Sequence, residues 1–193
     1  MISPLLRAVF AGACLSAMLI PSALAGPAAD KAAESEKLLA AGKPVQAYQA
    51  INEAVDAIWD KMPLTIGKAL FVIGSPAGYG IYNPRENARF GPKDKMVIYV
   101  EPLGFGHRLV NGIYEIDLTA GLVIKDASGK VVAKRDSFGE FKTRSRKKNR
   151  EFFLKLTISL TGAPKGDYTL VVPVKDNVKG GQAQFSLPFT LVK

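Results

Sequence analysis

The chain holds one cysteine, one histidine and one tryptophan in 193 residues. The cysteine, Cys14, lies in an apolar N-terminal stretch that reads as a discarded leader. Without it the remaining chain has no disulfide, no thiol nucleophile and no thiolate metal site. The lone histidine, His107, falls short of the three or so protein ligands a zinc centre needs, so no metal and no cofactor is expected. A catalytic triad built on it would need a serine and an acid brought close by folding, and no G-x-S-x-G elbow is present. Glycines stand at 74, 78 and 80, but no G-x-x-x-x-G-K-[ST] loop accompanies them. Past the leader, no apolar run is long enough to span a bilayer as a helix.

What is present begins with the leader itself. In MISPLLRAVFAGACLSAMLIPSALAGPAAD, Arg7 is the only charge before Asp30. An apolar run at 8–20 is too short for a stable anchor, Pro21 interrupts it, and Ala23-Leu24-Ala25 supplies small residues at the −3 and −1 positions of a cleavage site. Residues 1–25 therefore read as a signal peptide cut after Ala25, and the protein as soluble and periplasmic or secreted. Cys14 follows Ala11-Gly12-Ala13, where a lipid-attachment cysteine usually has a leucine upstream, so it is read as part of the leader.

Two zones of opposite charge follow. Residues 26–62 carry four Lys against six Asp and Glu, and read as a helical hairpin. An alanine-rich helix at 28–41 stops at Gly42, and Pro44 suits the first position of a second helix. Tyr48, Ile51, Val55, Ile58 and Met62 recur at spacings of three and four, an amphipathic stripe expected to pack on the following domain. LLAAGKPVQAYQAINEAV resembles the turn of a tetratricopeptide-type helix pair over about one repeat, and one repeat does not bury its own apolar face. Docking of a partner is the other use of such a hairpin.

Residues 63–193 carry 21 Lys and Arg against 11 Asp and Glu, and the apolar period changes to two. Alternation at 65–73, 95–100, 114–124, 131–134, 152–160, 168–174 and 185–191 marks about seven strands between turn-rich segments. Strands with one apolar face each point to a mainly β, two-sheet antiparallel sandwich. Gly166-Asp-Tyr168-Thr-Leu170 resembles the entry to a late strand of immunoglobulin-like domains, in which the tyrosine hydroxyl ties back to nearby backbone. Pro173 and Pro188 fall within expected strands and so mark an edge, a bulge or a strand switch. The arrangement of leader, helical hairpin and sandwich ending in F-x-L-P-F at 185–189 resembles uncharacterised exported proteins of Gram-negative bacteria; the resemblance implies no activity and no site residues.

Two candidate sites stand out. The loops at 74–85 and 101–108 are glycine-rich and carry rings and cations: Tyr79, Tyr82 and Arg85 on one, Phe105, His107 and Arg108 on the other. Rings there would stack on a sugar or peptide while the arginines hold an anionic group; alternatively the rings plug the end of the sandwich. The second is KTRSRKKNR at 142–150, which supplies Lys142, Arg144, Arg146, Lys147, Lys148 and Arg150. It reads first as a solvated connection that protects sheet edges, and second as a grip on an anionic envelope glycan, lipid or protein. Nucleic acid is not an expected partner, because cations alone carry no base-reading or stacking groups.

The function expected is a non-enzymatic binding or scaffold module. The alternative is a carbohydrate-active or hydrolytic envelope enzyme using Glu101, Glu115 or Asp117. Glu115 and Asp117 share a strand face, roughly 7 Å apart, near the separation of inverting glycosidases. Alternating charge is also the plain polar face of a half-buried strand. N-terminal sequencing of the exported protein is expected to begin at Gly26, and recovery of intact precursor from the cytoplasm would refute the leader assignment.

Overall fold

The computed structural model describes residues 26–192; the expected leader, with Cys14 and the Ala25 cleavage position, lies outside them. Helices α1 (Pro27–Ala40) and α2 (Pro44–Trp59) form the expected antiparallel hairpin. Proline stands at the start of each, where its missing N–H leaves no helical bond unmade. Gly42 turns the chain between them with φ +71°, a conformation that suits glycine. The Ser35 hydroxyl donates to the Ala47 carbonyl at 2.8 Å across the pair.

The face that α2 buries is not the one the periodicity indicates. Ala47, Ala50 and Ala54 are buried, whereas Tyr48, Ile51, Val55 and Ile58 are exposed, Tyr48 at 67 % and Ile58 at 54 %. The reason is steric. Alanines let two helix backbones approach closely, and they sit one step around the helix from the bulky row. The expectation that the bulky stripe packs on the following domain is therefore replaced by a stripe facing solvent.

Ten strands follow. They are β1 (Thr65–Gly78), β2 (Ile81–Pro84), β3 (Arg89–Phe90), β4 (Lys95–Leu103), β5 (Arg108–Val110), β6 (Ile113–Asp126), β7 (Val131–Ser145), β8 (Leu154–Ser159), β9 (Gly166–Asp176) and β10 (Gln182–Leu191). One sheet has the order β2-β1-β4-β8; the other runs β3-β10-β9-β6-β5, with β7 also paired to β6. The pairings are antiparallel except β10 with β3, where Thr190 and Leu191 meet Arg89 and Phe90 in parallel. The protein is thus mainly β in two sheets, the larger one curled, behind an N-terminal helix pair. Between the sheets lie Phe71, Met96, Ile98 and Val100 from one side and Leu118, Ile124, Leu170 and Val172 from the other. Each such side chain contributes roughly 1.5–3 kcal/mol on leaving water.

The two prolines behave as their chemistry requires. Pro173 lies opposite Gln184, beside a register shift in β6 between Ala120 and Leu122. Gly121 sits at that shift, and a Cβ there would meet the Pro173 ring at 2.9 Å. The ring therefore packs over Gly121, in the stretch between the Ala120–Val174 and Val123–Val171 pairs where β6 and β9 are not paired, so no ladder donor is missed there. Pro188 lies where β10 has β9 on one flank and no partner on the other, since β3 joins only at Thr190 and Leu191. Tyr168 donates its hydroxyl to the Pro164 carbonyl at 2.8 Å.

The long β1–β2 hairpin breaks register between Ile73 and Gly78 and lays its tip against Tyr99 of β4. The Gly80 N–H donates to the Tyr99 hydroxyl at 2.7 Å, and the Tyr82 ring lies 4.3 Å from that of Tyr99. Phe153 stacks on Tyr99 at 5.3 Å. Burial pushes the Tyr99 phenol up to about 12. Its ordinary value is about 10, so the neutral form is favoured in the folded state. The folded-state value is the higher one. The stability it confers is complete below about pH 10 and is lost as pH rises toward about 12. Alkaline unfolding in that window, followed by circular dichroism, is expected to be blunted by Tyr99→Phe.

Candidate functional site

The densest set of polar contacts between distant parts of the chain lies where α2 meets the sandwich. Trp59, 8 % exposed, ends the helix and donates its indole N–H to the Phe105 carbonyl at 2.8 Å. Its ring meets that of Phe105 edge-on at 5.0 Å. Beyond it the helix carbonyls need donors. Lys179 supplies them: its ammonium lies 2.6 Å from the Met62 carbonyl and 3.4 Å from those of Trp59 and Gly104. Asp176, 1 % exposed, holds that lysine's loop, accepting from the N–H groups of Gly106, Val178 and Lys179. Gly106 is required there, since a Cβ would stand 2.6 Å from Lys179 Cβ.

The basic run completes this junction. It is not one loop: β7 extends through Ser145, so Lys142 and Arg144 are strand residues and only the remainder is a connection to β8. Arg150 forks across α2, donating to Asp56 Oδ1 and to Asn52 Oδ1, both at 2.6 Å. Lys148 lies 3.2 Å from Asp60 and 3.7 Å from Asp56. Asn52, Asp56 and the C-cap Asp60 recur every four residues and so form one polar row with two acids along α2, toward the run. That row, opposite in sign to the run, was a signal in the sequence. Trp59, Asp176 and Lys179 gave none, because a turn lysine and a helix-end tryptophan are ordinary residues in isolation.

The cations nearer the start of the run meet the carboxylates of β6. Glu115 faces Arg108 of β5 on one flank at 3.0 Å and Arg144 of β7 on the other at 3.1 Å. Asp117 lies 3.6 Å from Lys142 and accepts from the Asn177 amide at 2.8 Å. Arg108 therefore belongs to a cross-strand charge ladder. Arg146 and Lys147 are exposed and have no ion-pair partner among the described residues.

The six residues of the two aromatic loops fall into separate neighbourhoods. Tyr79 and Tyr82 lie at the tip of the β1–β2 hairpin, where Tyr82 covers Tyr99 and the Lys68 ammonium lies 5.7 Å from the Tyr82 ring centre. Arg85 lies over the Phe90 ring at 4.4 Å and donates to the Asn87 and Arg89 carbonyls, bracing its own loop. Phe105 is fully buried and touches Trp59, His107 and Phe152. His107 donates from Nε2 to the Asn149 carbonyl at 2.9 Å, and its Nδ1 is buried without a partner. The rings act as plugs, and no single cleft gathers Tyr79, Tyr82, Arg85, Phe105, His107 and Arg108.

A cleft of about 640 Å³ does lie between α2 and the basic connection. Val45, Tyr48 and Gln49 line one side and Lys147, Lys148 and Glu151 the other. Among the described residues no three His, Cys, Asp or Glu side chains converge as a metal site. No helix among them is long and apolar enough to cross a membrane. No protein-family model matches the chain, and a search of curated proteins finds no match.

Arg150→Ala is expected to cost about 1–2 kcal/mol in chemical denaturation. A double-mutant cycle with Asp56→Ala should return a coupling of about 1 kcal/mol. Hydrogen exchange should quicken in α1 and α2 and stay unchanged in β4, since the clamp holds the hairpin and not the sheets.

Proposed function

We propose that the chain is a non-enzymatic binding or scaffold module of the cell envelope, exported after removal of residues 1–25. In this reading a β platform holds out a helical hairpin as its contact arm. The observation that carries it is the clamp of Arg150 and Lys148 on Asp56, Asn52 and Asp60. A hairpin fixed at that face, with its large apolar side chains turned to solvent, is built to touch something else. The sandwich is assigned to the broad immunoglobulin-like class, supported by the tie from Tyr168 to the carbonyl four residues earlier.

The enzymatic alternative draws less support. Glu115 and Asp117 are each engaged by basic or amide partners from neighbouring strands, in a cross-strand ladder rather than a cleft that could hold a sugar. Anion contact, in this proposal, falls to Arg146 and Lys147, since the other four cations of the run already have carboxylate partners.

Affinity purification of the intact tagged chain from native envelope tests the module reading: co-purification of a defined envelope component supports it. Turnover of envelope glycan that disappears in Glu115→Gln or Asp117→Asn would replace it with the enzyme. Retention on heparin and on anionic vesicles should fall steeply with salt. It should drop severalfold in the Arg146→Ser, Lys147→Ser pair and change little in Lys142→Ser. Equal retention of all three proteins would remove the anion contact.

A further inference from the structure

The connection that clamps α2 follows β7 beside Glu115, at the start of β6; a separate hollow lies at Ile124 and Asp126, at the other end of that strand. It measures about 450 Å³, within the range of small-molecule sites. The end of β6, the start of β7 and the β8–β9 turn bound it. Ile124 and Tyr168 are buried there, while Val132 is 50 % exposed. The turn is pinned by Tyr168, whose hydroxyl donates to the Pro164 carbonyl and whose ring stacks on Phe189 at 5.5 Å. Held at both points, Tyr168 does not swing in to fill the space.

β7 is irregular at this place. Ala133 pairs with Ile124 and Val131 with Lys125, so Val132 is an extra residue in β7. Such a bulge bends the strand and re-aims a side chain. Val132, Ala133, Leu160, Ala163 and Pro164 give the hollow an aliphatic lining, and Asp126 is its only charged side chain. Asp126 pairs with Tyr168 and stands two residues on from Ile124, so it shares their inward face. Its Oδ1 accepts from the Ser128 N–H, the Ser128 hydroxyl and the Lys130 N–H, which closes the turn into β7. Its Oδ2 accepts from no group among the described residues. The Ser128 hydroxyl holds the Asp126 carboxyl below its ordinary value, so the group stays ionised near neutral pH. Lys130 of the same turn is exposed and does not line the hollow.

Donors and acceptors select the occupant. An ionised carboxylate only accepts. The Tyr168 hydroxyl is already spent on Pro164. A ligand head that accepts, such as a fatty-acid carboxylate, therefore finds no free donor among the lining side chains, and one that donates finds Asp126 Oδ2. We propose that this hollow is a binding site for a primary alkylamine, with its chain against Ile124, Val132, Leu160 and Pro164 and its ammonium donating to Asp126 Oδ2. The site lies apart from the helical hairpin and stands whether or not the hairpin is a contact arm.

The test uses the intact chain with n-octylamine, 1-octanol and sodium octanoate, which share a chain length and differ in the head. Binding is followed by calorimetry and by the methyl resonances of Ile124, Val132 and Leu160. n-Octylamine is expected to bind saturably, to shift those methyls, and to bind at least about tenfold more tightly than octanoate. Ala163→Leu fills the hollow from an exposed position, so it should weaken the amine about tenfold at an unchanged melting temperature. Asp126→Asn keeps an Oδ1 acceptor for the turn and removes the charge, so it should bring amine and octanol to within about twofold of each other.

Equal or tighter binding of octanoate overturns the proposal. So does binding that leaves all three sets of methyls unmoved, since the amine then sits elsewhere. Equal binding of octanol to the native chain would make the hollow a general alkyl pocket and remove the role of Asp126. Full affinity retained in both variants, or no saturable binding of the amine, removes the site. Should Asp126→Asn fail to fold, Ala163→Leu and the methyl shifts decide the matter.

Discussion

Arg150 placed between Asp56 and Asn52 is the contact on which the rest of the arrangement depends. The hairpin is sealed internally by alanines, which remove little apolar area per residue and so hold it only weakly in place. Its attachment to the sandwich comes from three sources at one junction: the Trp59 ring against Phe105, the Lys179 ammonium against the carbonyls past the helix end, and the charge clamp along α2. The clamp sets the rotation of α2 about its own axis. That rotation decides which row of the helix is covered and which is presented.

Most of the basic run finds carboxylate partners within the molecule. The acidic row of α2 meets Lys148 and Arg150, and the carboxylates of β6 meet Arg108, Lys142 and Arg144 from neighbouring strands. These pairs are partly exposed, so each is worth little alone, and their main effect is on register and orientation. A run that reads as an anion grip in one dimension thus becomes a clamp plus a cross-strand ladder in three. Arg146 and Lys147, at the bend between strand and connection, are the cations of the run with no carboxylate partner among the described residues.

Periodicity was informative about element type and misleading about direction. The row of Tyr48, Ile51, Val55 and Ile58 marks a helix correctly, yet the buried face is the alanine row beside it. Hydrophobic pattern weighs side chains by size, whereas close helix packing selects for small ones. The aromatic loops misled in a related way. Phe105 and Tyr82 are rich in recognition chemistry as residue types, but one closes the junction with Trp59 and the other covers Tyr99. Exposure of a ring is a property of the surrounding fold and is invisible in a glycine-rich stretch.

Local chemistry determined most of the elements: Pro44 and Gly42 set the hairpin, alternation marked seven of the ten strands and missed the short β2, β3 and β5, and Pro173 and Pro188 marked places where the ladder is open or interrupted. These follow from backbone preferences that act over a few residues. Tertiary structure alone decided that β7 runs on through Ser145, that Lys179 caps a helix far away in sequence, that His107 is buried with one nitrogen unpartnered, and that the bulky side of α2 faces water. Each of these depends on which distant surfaces meet, and that is set by the packing of whole faces against one another, which no local window contains.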